Sequence, residues 1–103
     1  DFALFCHAPT VIVITCDLTS PVRQANCSLA VQSIALIAEL LNIGACMMAW
    51  PEVIFKSAKG RELLKELGVP EGYAHVCSVT LGYRDDDSPP AKPGNTEVIN
   101  YIR

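Results

Sequence analysis

Residues 26–50, NCSLAVQSIALIAELLNIGACMMAW, decide the fold of this chain. On a helical wheel at ~100° per residue, four polar side chains fall in one stripe about 80° wide; they are Ser28, Gln32, Glu39 and Asn42, and only Ser33 lies well off it. Leucine, isoleucine, valine and alanine cover nearly all the remaining surface. The stretch therefore predicts a long helix that is buried on most sides, either in the centre of a large domain or between two subunits. We expect it to end at Gly44 and to lead into a short apolar strand.

Neither a membrane nor a nucleic acid is expected as a partner. The helix from Ser28 to Asn42 is only ~22 Å long, whereas the hydrocarbon core of a bilayer is ~30 Å thick. Gln32, Glu39 and Asn42 would also lie at bilayer depth without partners. The formal net charge is −3, the sequence pI is about 5.2 and no basic run occurs, which argues against nucleic-acid binding.

The composition predicts a protein partner. The chain has 103 residues, of which 50% are hydrophobic and 18% are charged, and its mean hydropathy is +0.29. A chain of this size has a large surface for its volume and normally needs more polar residues to cover it. The excess apolar surface indicates another subunit, a further stretch of chain, or both. Because the sequence begins at Asp1 rather than at Met, we expect a fragment of a longer protein.

Isolated cysteine and histidine residues give little support for a metal site or for side-chain catalysis. Five cysteines occur, no two of them form a Cys-x-x-Cys motif, and most lie inside apolar segments, which favours reduced, buried thiols in the cytoplasm. His7 and His75 lack the spacing of metal ligands and are interpreted as structural or surface residues. Neither GxGxxG nor GxxxxGK occurs, and no nucleophile lies in a recognisable arrangement with a base.

Three strands and two helices are predicted, followed by an extended tail. Apolar runs predict strands at residues 10–16, 44–50 and 74–81. The long helix is capped at Ser20-Pro21 or at Asn26, and residues 57–67 form a second helix that Gly68 and Pro70 terminate. The three aspartates at 85–87 are interpreted as a solvated turn, and residues 96–102 as a short strand or an arm. The order β-α-β-α-β predicts an α/β or α+β layered structure.

The motifs in this order resemble the C-terminal half of the nitroreductase family. The matching stretches are residues 8–15 (APTVIVIT), 26–32 (NCSLAVQ), 41–46 (LNIGAC), 63–73 (LLKELGVPEGY), 79–83 (VTLGY) and Lys92-Pro93. The resemblance implies an α+β nitroreductase-like sandwich with helices around a central sheet. Residues 1–103 would form one partial domain that lacks the N-terminal half of the fold, with residues 88–103 as an extended C-terminal arm.

The resemblance also implies an activity and an assembly. Nitroreductases are homodimers that hold FMN at the dimer interface. The flavin accepts hydride from NADH or NADPH and passes electrons to a small-molecule acceptor such as a nitro compound or a quinone. Such a function fits the absence of a catalytic side-chain set, because the cofactor carries the chemistry and the protein binds and tunes it.

Few candidate site residues follow from the resemblance. In the family, the strand after the long helix passes the reactive face of the flavin, and a backbone N–H there approaches the flavin N5 atom. The corresponding residues here are Met47, Met48, Ala49 and Trp50, with Ala49 and Trp50 nearest the ring. Without the resemblance, Met47, Met48 and Trp50 would be interpreted as core residues. Lys92 matches a lysine that the family places near the FMN phosphate.

Two departures from the family leave an alternative function open. Gly94 stands where the family has an arginine near the phosphate. The family's N-terminal segment, which is rich in Arg and Ser and grips the phosphate and ribityl chain, has no counterpart in this sequence. The alternative is a non-catalytic α/β module that dimerises through the long helix, or a truncated relative that no longer binds flavin.

Overall fold

A computed structural model describes residues 4–85 and 89–102 of the chain. Three strands form one antiparallel sheet: β1 (Thr10–Asp17), β2 (Ile43–Met48) and β3 (Tyr73–Tyr83). Their order is β1-β3-β2, and both outer strands run antiparallel to β3. Helices lie on this small sheet, which confirms the predicted α+β layered structure.

The register of the sheet sorts its side chains onto two faces. Because directly paired residues of an antiparallel ladder share a face, the pairs of Ile12 with Val79 and of Ile14 with Cys77 lie on one face. Val13 and Ser78 pair on the other. A bulge then shifts the register, so that Thr15 pairs with His75 and Val76 has no direct partner. His75 consequently lies on the same face as Ser78, which simple alternation along β3 would not predict.

The long helix α1 (Arg23–Leu40) packs across the sheet. Its first residue lies between the two predicted caps, and Val22 precedes it without a side-chain capping hydrogen bond. The prediction that this helix ends at Gly44 is wrong. Asn42 adopts a left-handed conformation with φ = 58°, which asparagine tolerates better than most residues, and the chain turns there before Gly44 enters β2.

Two short helices follow β2. The first, α2 (Glu52–Phe55), begins after Pro51 and is not predicted from the sequence. The second, α3 (Ala58–Glu66), agrees with the predicted helix, and the Ser57 hydroxyl caps it by accepting a hydrogen bond from the Gly60 N–H at 3.1 Å. A Cβ atom at Gly60 would lie 2.1 Å from the Ile54 carbonyl oxygen, so only glycine allows α3 to approach α2 this closely.

The apolar core lies between α1 and the sheet. Its buried members are Cys27 and Val31 of α1 and Cys77 and Val79 of β3. The prediction of buried thiols holds for Cys27 and Cys77 but is wrong for two others. Cys6 and Cys46 are exposed and Cys16 is partly buried, while all five thiols are free. An apolar run guarantees burial only where another element covers it, and nothing in the described residues covers Cys46 on the outer strand β2.

The outer face of α1 is exposed within this chain. Cys27, Val31 and Ala38 are the buried residues of the helix, whereas several large apolar side chains face outward: Leu29, Leu36, Ile37 and Leu40. The prediction that the helix is buried on most sides is therefore not met by the described residues alone. Among them, no helix combines the length and the hydropathy that a membrane span requires.

The C-terminal stretch is irregular. Residues 89–102 contain no strand or helix, and a single turn, in which the Ile99 N–H donates to the Thr96 carbonyl at 3.1 Å, interrupts the extended chain. The option of a strand at residues 96–102 is therefore wrong for the described residues, because this segment pairs with neither outer strand of the sheet. The predicted aspartate turn at 85–87 falls mostly outside the described residues.

Candidate functional site

The candidate residues 47–50 lie where β2 ends and α2 begins. The sequence places all four on one strand, but β2 ends at Met48. The Ala49 and Trp50 carbonyls instead accept hydrogen bonds from the N–H groups of Glu52 and Val53, at 3.1 and 3.2 Å. Pro51 is responsible, because it has no N–H to continue a ladder and its fixed φ favours the start of a helix.

The side chains of these residues divide into a buried one and exposed ones. Met48 is 8% exposed and pairs with Ser78 of β3, so it is a core residue. Met47 is 56% and Trp50 is 45% exposed, and Ala49 is exposed as well. The interpretation of Met47, Met48 and Trp50 as plain core residues therefore fits Met48 and not Met47 or Trp50. Together Met47, Ala49 and Trp50 form an apolar surface patch at the end of β2, called here the β2 end patch.

The backbone of β2 adds hydrogen-bonding groups to this patch. Because β2 is an outer strand, alternate N–H and C=O groups point away from β3. Ala49 follows the last ladder residue, and its small side chain leaves room for another molecule to approach the backbone. The arrangement can hold a flat, partly polar molecule against the strand, with apolar contacts from side chains and directional contacts from the backbone.

Lys92 is not brought to the β2 end patch by any contact of the described residues. It lies exposed in the irregular segment 89–102 and takes part in neither of the two ion pairs among the described residues, which join Lys56 to Glu52 and Arg84 to Glu39. The second of these pairs links the residue after β3 to Glu39 near the end of α1. The two parts of the predicted flavin site thus remain separate in the single chain.

Other chemical groups do not add a catalytic centre. Burial raises the pKa values of the Cys27 and Cys77 thiols, which disfavours the reactive thiolate. In the part of the chain that the structure describes, no cluster of His, Cys, Asp and Glu could hold a metal ion. Two hydrogen bonds from Thr19 to one Asp17 oxygen, both 2.8 Å, lower the pKa of that carboxyl group and stabilise the turn after β1.

Besides the β2 end patch, the structure has a concave region that sequence reasoning missed; Arg23, Arg61 and His75 line it. These residues come from α1, α3 and β3 and are far apart in the sequence. In the sequence these three residues stand out only because they are charged or titratable, and they have no regular spacing that would predict a common site. The bulge in β3, which places His75 on this side of the sheet, has no recognisable sequence signature.

Comparison with known proteins identifies a family and several similar structures. The family model of the Nitroreductase family matches residues 2–83. A search of curated protein sequences found no match. A nitroreductase with bound FMN from Desulfitobacterium hafniense DCB-2 is 37% identical in sequence, with a TM-score of 0.83; the match covers 96% of this chain and 53% of that one.

Two further solved structures share the fold at lower identity. A nitroreductase with bound FMN from Bacteroides fragilis NCTC 9343 is 23% identical, with a TM-score of 0.86 over 100% of this chain and 56% of that one. A mutant of an FMN- and NADPH-dependent nitroreductase from sphigopyxis sp. strain HMH is 19% identical, with a TM-score of 0.70 over 94% and 46% of the two chains. This chain thus spans about half the length of the solved structures that it matches.

Proposed function

Because this chain belongs to the nitroreductase family, we propose that it forms part of an FMN-dependent oxidoreductase in which the β2 end patch lies against the flavin ring. The exposure of this patch on an outer strand carries the proposal. The FMN-bound relative from Desulfitobacterium hafniense, which is 37% identical, supports the choice of cofactor. Since the chain spans about half of such relatives, the activity is proposed for the whole protein.

The residues at the β2 end patch fit a flavin ring. Met47 and Trp50 offer exposed thioether and indole surfaces, which pack well against a flat aromatic system. Ala49 allows the backbone to come close, and the buried Met48 side chain anchors the strand behind it. When bound, FMN supplies the capacity to accept and donate hydride. The chain's own residues bind one face of the ring, orient it and keep water from that face.

The electron donor and acceptor belong to the same proposal. We propose NAD(P)H as the donor, and nitro compounds, quinones or similar small molecules as acceptors. The NADPH-dependent relative supports the donor by its name, and the lack of a catalytic side-chain set at the patch suits an enzyme whose cofactor reacts directly with small molecules. The free thiols fit the reducing cytoplasm, which we propose as the location.

We also propose a homodimer that buries the outer face of α1. A row of exposed apolar side chains runs along that face, and contiguous apolar surface of this kind marks interaction sites. The irregular tail carries further exposed apolar residues: Val98, Ile99, Tyr101 and Ile102. We propose that this tail docks on the second subunit and brings Lys92 to the FMN phosphate.

Titration of the apoprotein with FMN tests the ring placement. Replacing Ala49 with Leu should weaken FMN binding by about 10-fold or more, because the added side chain occupies the approach to the backbone. Ala58→Leu, at an exposed position at the start of α3, is the matched control and should bind like the parent. Equal FMN affinity of both variants, measured by quenching of flavin fluorescence, would remove the flavin from this patch.

Two changes in the tail test the phosphate and docking proposals separately. A charge-assisted contact to phosphate contributes roughly 1.5–3 kcal/mol, so Lys92→Ala should weaken FMN binding by about 10- to 100-fold. It should leave the oligomeric state unchanged. Deletion of residues 95–103 should lower the melting temperature of the dimer and raise its dissociation constant. Unchanged FMN affinity, or an unchanged dimer, contradicts the respective proposal.

The second candidate function is a dimerising module without a cofactor. The exposed apolar face of α1 favours it equally, because that face needs a partner whether or not flavin binds. A visible spectrum distinguishes the two, since the flavoprotein absorbs blue light and the module is colourless. Sedimentation at micromolar concentration tests the part that they share: a compact monomer there would contradict both.

A further inference from the structure

A cavity of about 300 Å³ lies among α1, α2, α3 and the first half of β3. The charged side chains of its lining and its one histidine are Arg23, Glu52, Lys56, Arg61 and His75. None of these residues takes part in the proposed flavin site. The volume is at the lower end of the range for ligand pockets, so it suits a small molecule and not a dinucleotide.

Backbone carbonyls hold both guanidinium groups at the cavity. Arg23 Nη1 donates to the carbonyl oxygens of Leu18, at 3.2 Å, and Ser20, at 3.4 Å. Arg61 Nη1 donates to the carbonyl of Lys56. A guanidinium has five N–H donors, so these contacts fix each group and leave most of its donors for another molecule.

The charges around the cavity are not balanced. Glu52 forms an ion pair with Lys56 at 2.7 Å, while neither arginine has a carboxylate partner within residues 4–85 and 89–102. Three cations and one carboxylate therefore leave the lining with two excess positive charges. Two fixed, unneutralised guanidinium groups at one concave surface attract anions and bind them through several hydrogen bonds at once.

A buried histidine also lines the cavity. His75 is 5% exposed, and its ring stacks on Phe55 with 4.5 Å between the ring centroids. Its Nε2 lies 2.7 Å from Ser78 Oγ, whereas the buried Nδ1 has no hydrogen-bond partner among the described residues. When the Ser78 hydroxyl donates to Nε2, Nδ1 carries the ring proton and is an unused donor. Because Nδ1 has almost no accessible surface, the ring contributes to the wall of the cavity and not to its donor set.

We propose that this cavity binds the phosphate group of a small molecule, with Arg23 and Arg61 gripping its oxygens and the buried His75 ring forming part of the wall. Two excess positive charges match a phosphate dianion better than a single carboxylate. The tetrahedral oxygens of phosphate can also accept from guanidinium groups of two different helices, whereas the two coplanar oxygens of a carboxylate fit this less well. The site does not depend on FMN, because it shares no residue with the β2 end patch.

Titration of the complete chain with inorganic phosphate, followed by calorimetry, tests the site. We expect saturable binding with a dissociation constant of about 1 mM or lower. Arg23→Gln and Arg61→Gln should each weaken it by about 10-fold, and the double variant should abolish it. Lys59→Gln removes a charge from α3 at a position outside the cavity lining and should leave the affinity unchanged.

The identity of the ligand group and the role of His75 need separate measurements. Acetate should not compete with phosphate, whereas adenosine monophosphate and glycerol phosphate report whether a phosphate ester fits as well as the free ion. Phosphate should shift the ring resonances of His75, which lines the cavity, in NMR spectra of the folded wild-type protein, a readout that needs no variant. Lack of saturation, equal weakening by Lys59→Gln, or His75 ring resonances that phosphate leaves in place would overturn the proposal.

Discussion

The two helical units that pack on the sheet, α1 and the α2–α3 pair, differ in how many charged residues they carry and in how their ends are capped. In α1, two of the 18 residues are charged and no side chain caps the first turn. In α3, five of the nine residues are charged, Ser57 caps the first turn, and Lys65 lies in the last turn, where a positive charge favours the helix dipole. The α2–α3 pair therefore has its own solvent-facing surface and its own local stabilisation.

This difference concerns the surface on which we propose that the second subunit binds. The core side of α1 packs on Cys77 and Val79, but Leu40 on its outer side is 85% exposed. A helix with apolar residues on both sides lowers its free energy by covering the second side as well. Substitutions in the α2–α3 pair should change only the free energy of unfolding. Substitutions on the outer side of α1 should instead change the association constant of the subunits.

Gly60→Ala should have the largest effect on folding, because it forces α3 away from α2. The new Cβ atom would lie 2.1 Å from the Ile54 carbonyl oxygen and 2.6 Å from Phe55 Cα, and backbone atoms cannot move aside cheaply. We expect the free energy of unfolding to fall by about 3 kcal/mol or more in urea titrations. Gly94→Ala is the control, since nothing lies within 4 Å of its Cβ position. Equal stability of the two variants would mean that the α2–α3 contact is looser than described.

Substitutions on the two sides of α1 should separate folding from assembly. Val31 is buried in the core, so Val31→Ala should lower the free energy of unfolding by about 2 kcal/mol through lost burial and a cavity. Leu36 is exposed, so Leu36→Ala should leave monomer unfolding nearly unchanged and weaken self-association. Sedimentation equilibrium and urea unfolding measure the two quantities. If Leu36→Ala leaves the association constant unaltered, the outer side of α1 is not the dimer interface.

The sequence predicts those features of the two helical units that have local causes. The branched run of β1, the apolar length of α1 and the Ser57 start of α3 are local signals, and each appears in the structure close to its predicted place. The sequence does not predict the end of α1 at Leu40 and the turn at Asn42, because glycine is the more frequent residue in a left-handed turn. Asparagine can also adopt that conformation, and here it does.

The remaining differences depend on contacts between distant parts of the chain. The order β1-β3-β2 and the bulge at Val76 follow from pairing between distant segments, and no single segment encodes them. The assignment of residues 47–50 to a flavin site comes from the family resemblance and not from residue chemistry, and it stays a prediction. The cavity beside His75 was not predicted at all, because its lining residues share no pattern in the sequence.

The caps of the two helices offer a smaller test of the same contrast. Ser57→Ala removes the acceptor for the Gly60 N–H and should lower the free energy of unfolding by about 1 kcal/mol. Ser33→Ala on α1 is the matched control. The Ser33 hydroxyl donates to the Leu29 carbonyl within the helix, at 3.0 Å, an interaction that contributes little to helix stability. Ser57→Asp should retain most of the stability, because aspartate also caps helices; a loss as large as that of alanine would assign the effect to packing.

The smallest expected effect is a pH dependence that originates beneath α2. Burial against Phe55 lowers the pKa of His75 below its ordinary value of 6.5, and the nearby Glu52 offsets this only in part. The unfolded chain therefore binds a proton more readily than the folded one, so the free energy of unfolding is highest above pH 6.5 and declines as the pH falls below it. The pKa values of the Asp17 and Glu52 carboxyls are also lowered, from 3.8 and 4.5, but their contributions are lost at more acidic pH.

Urea unfolding between about pH 5 and 7.5 isolates the histidine. His75→Gln should flatten the decline, whereas His7→Gln, at an exposed position, should preserve it; a decline that persists in His75→Gln would assign the pH dependence to another group.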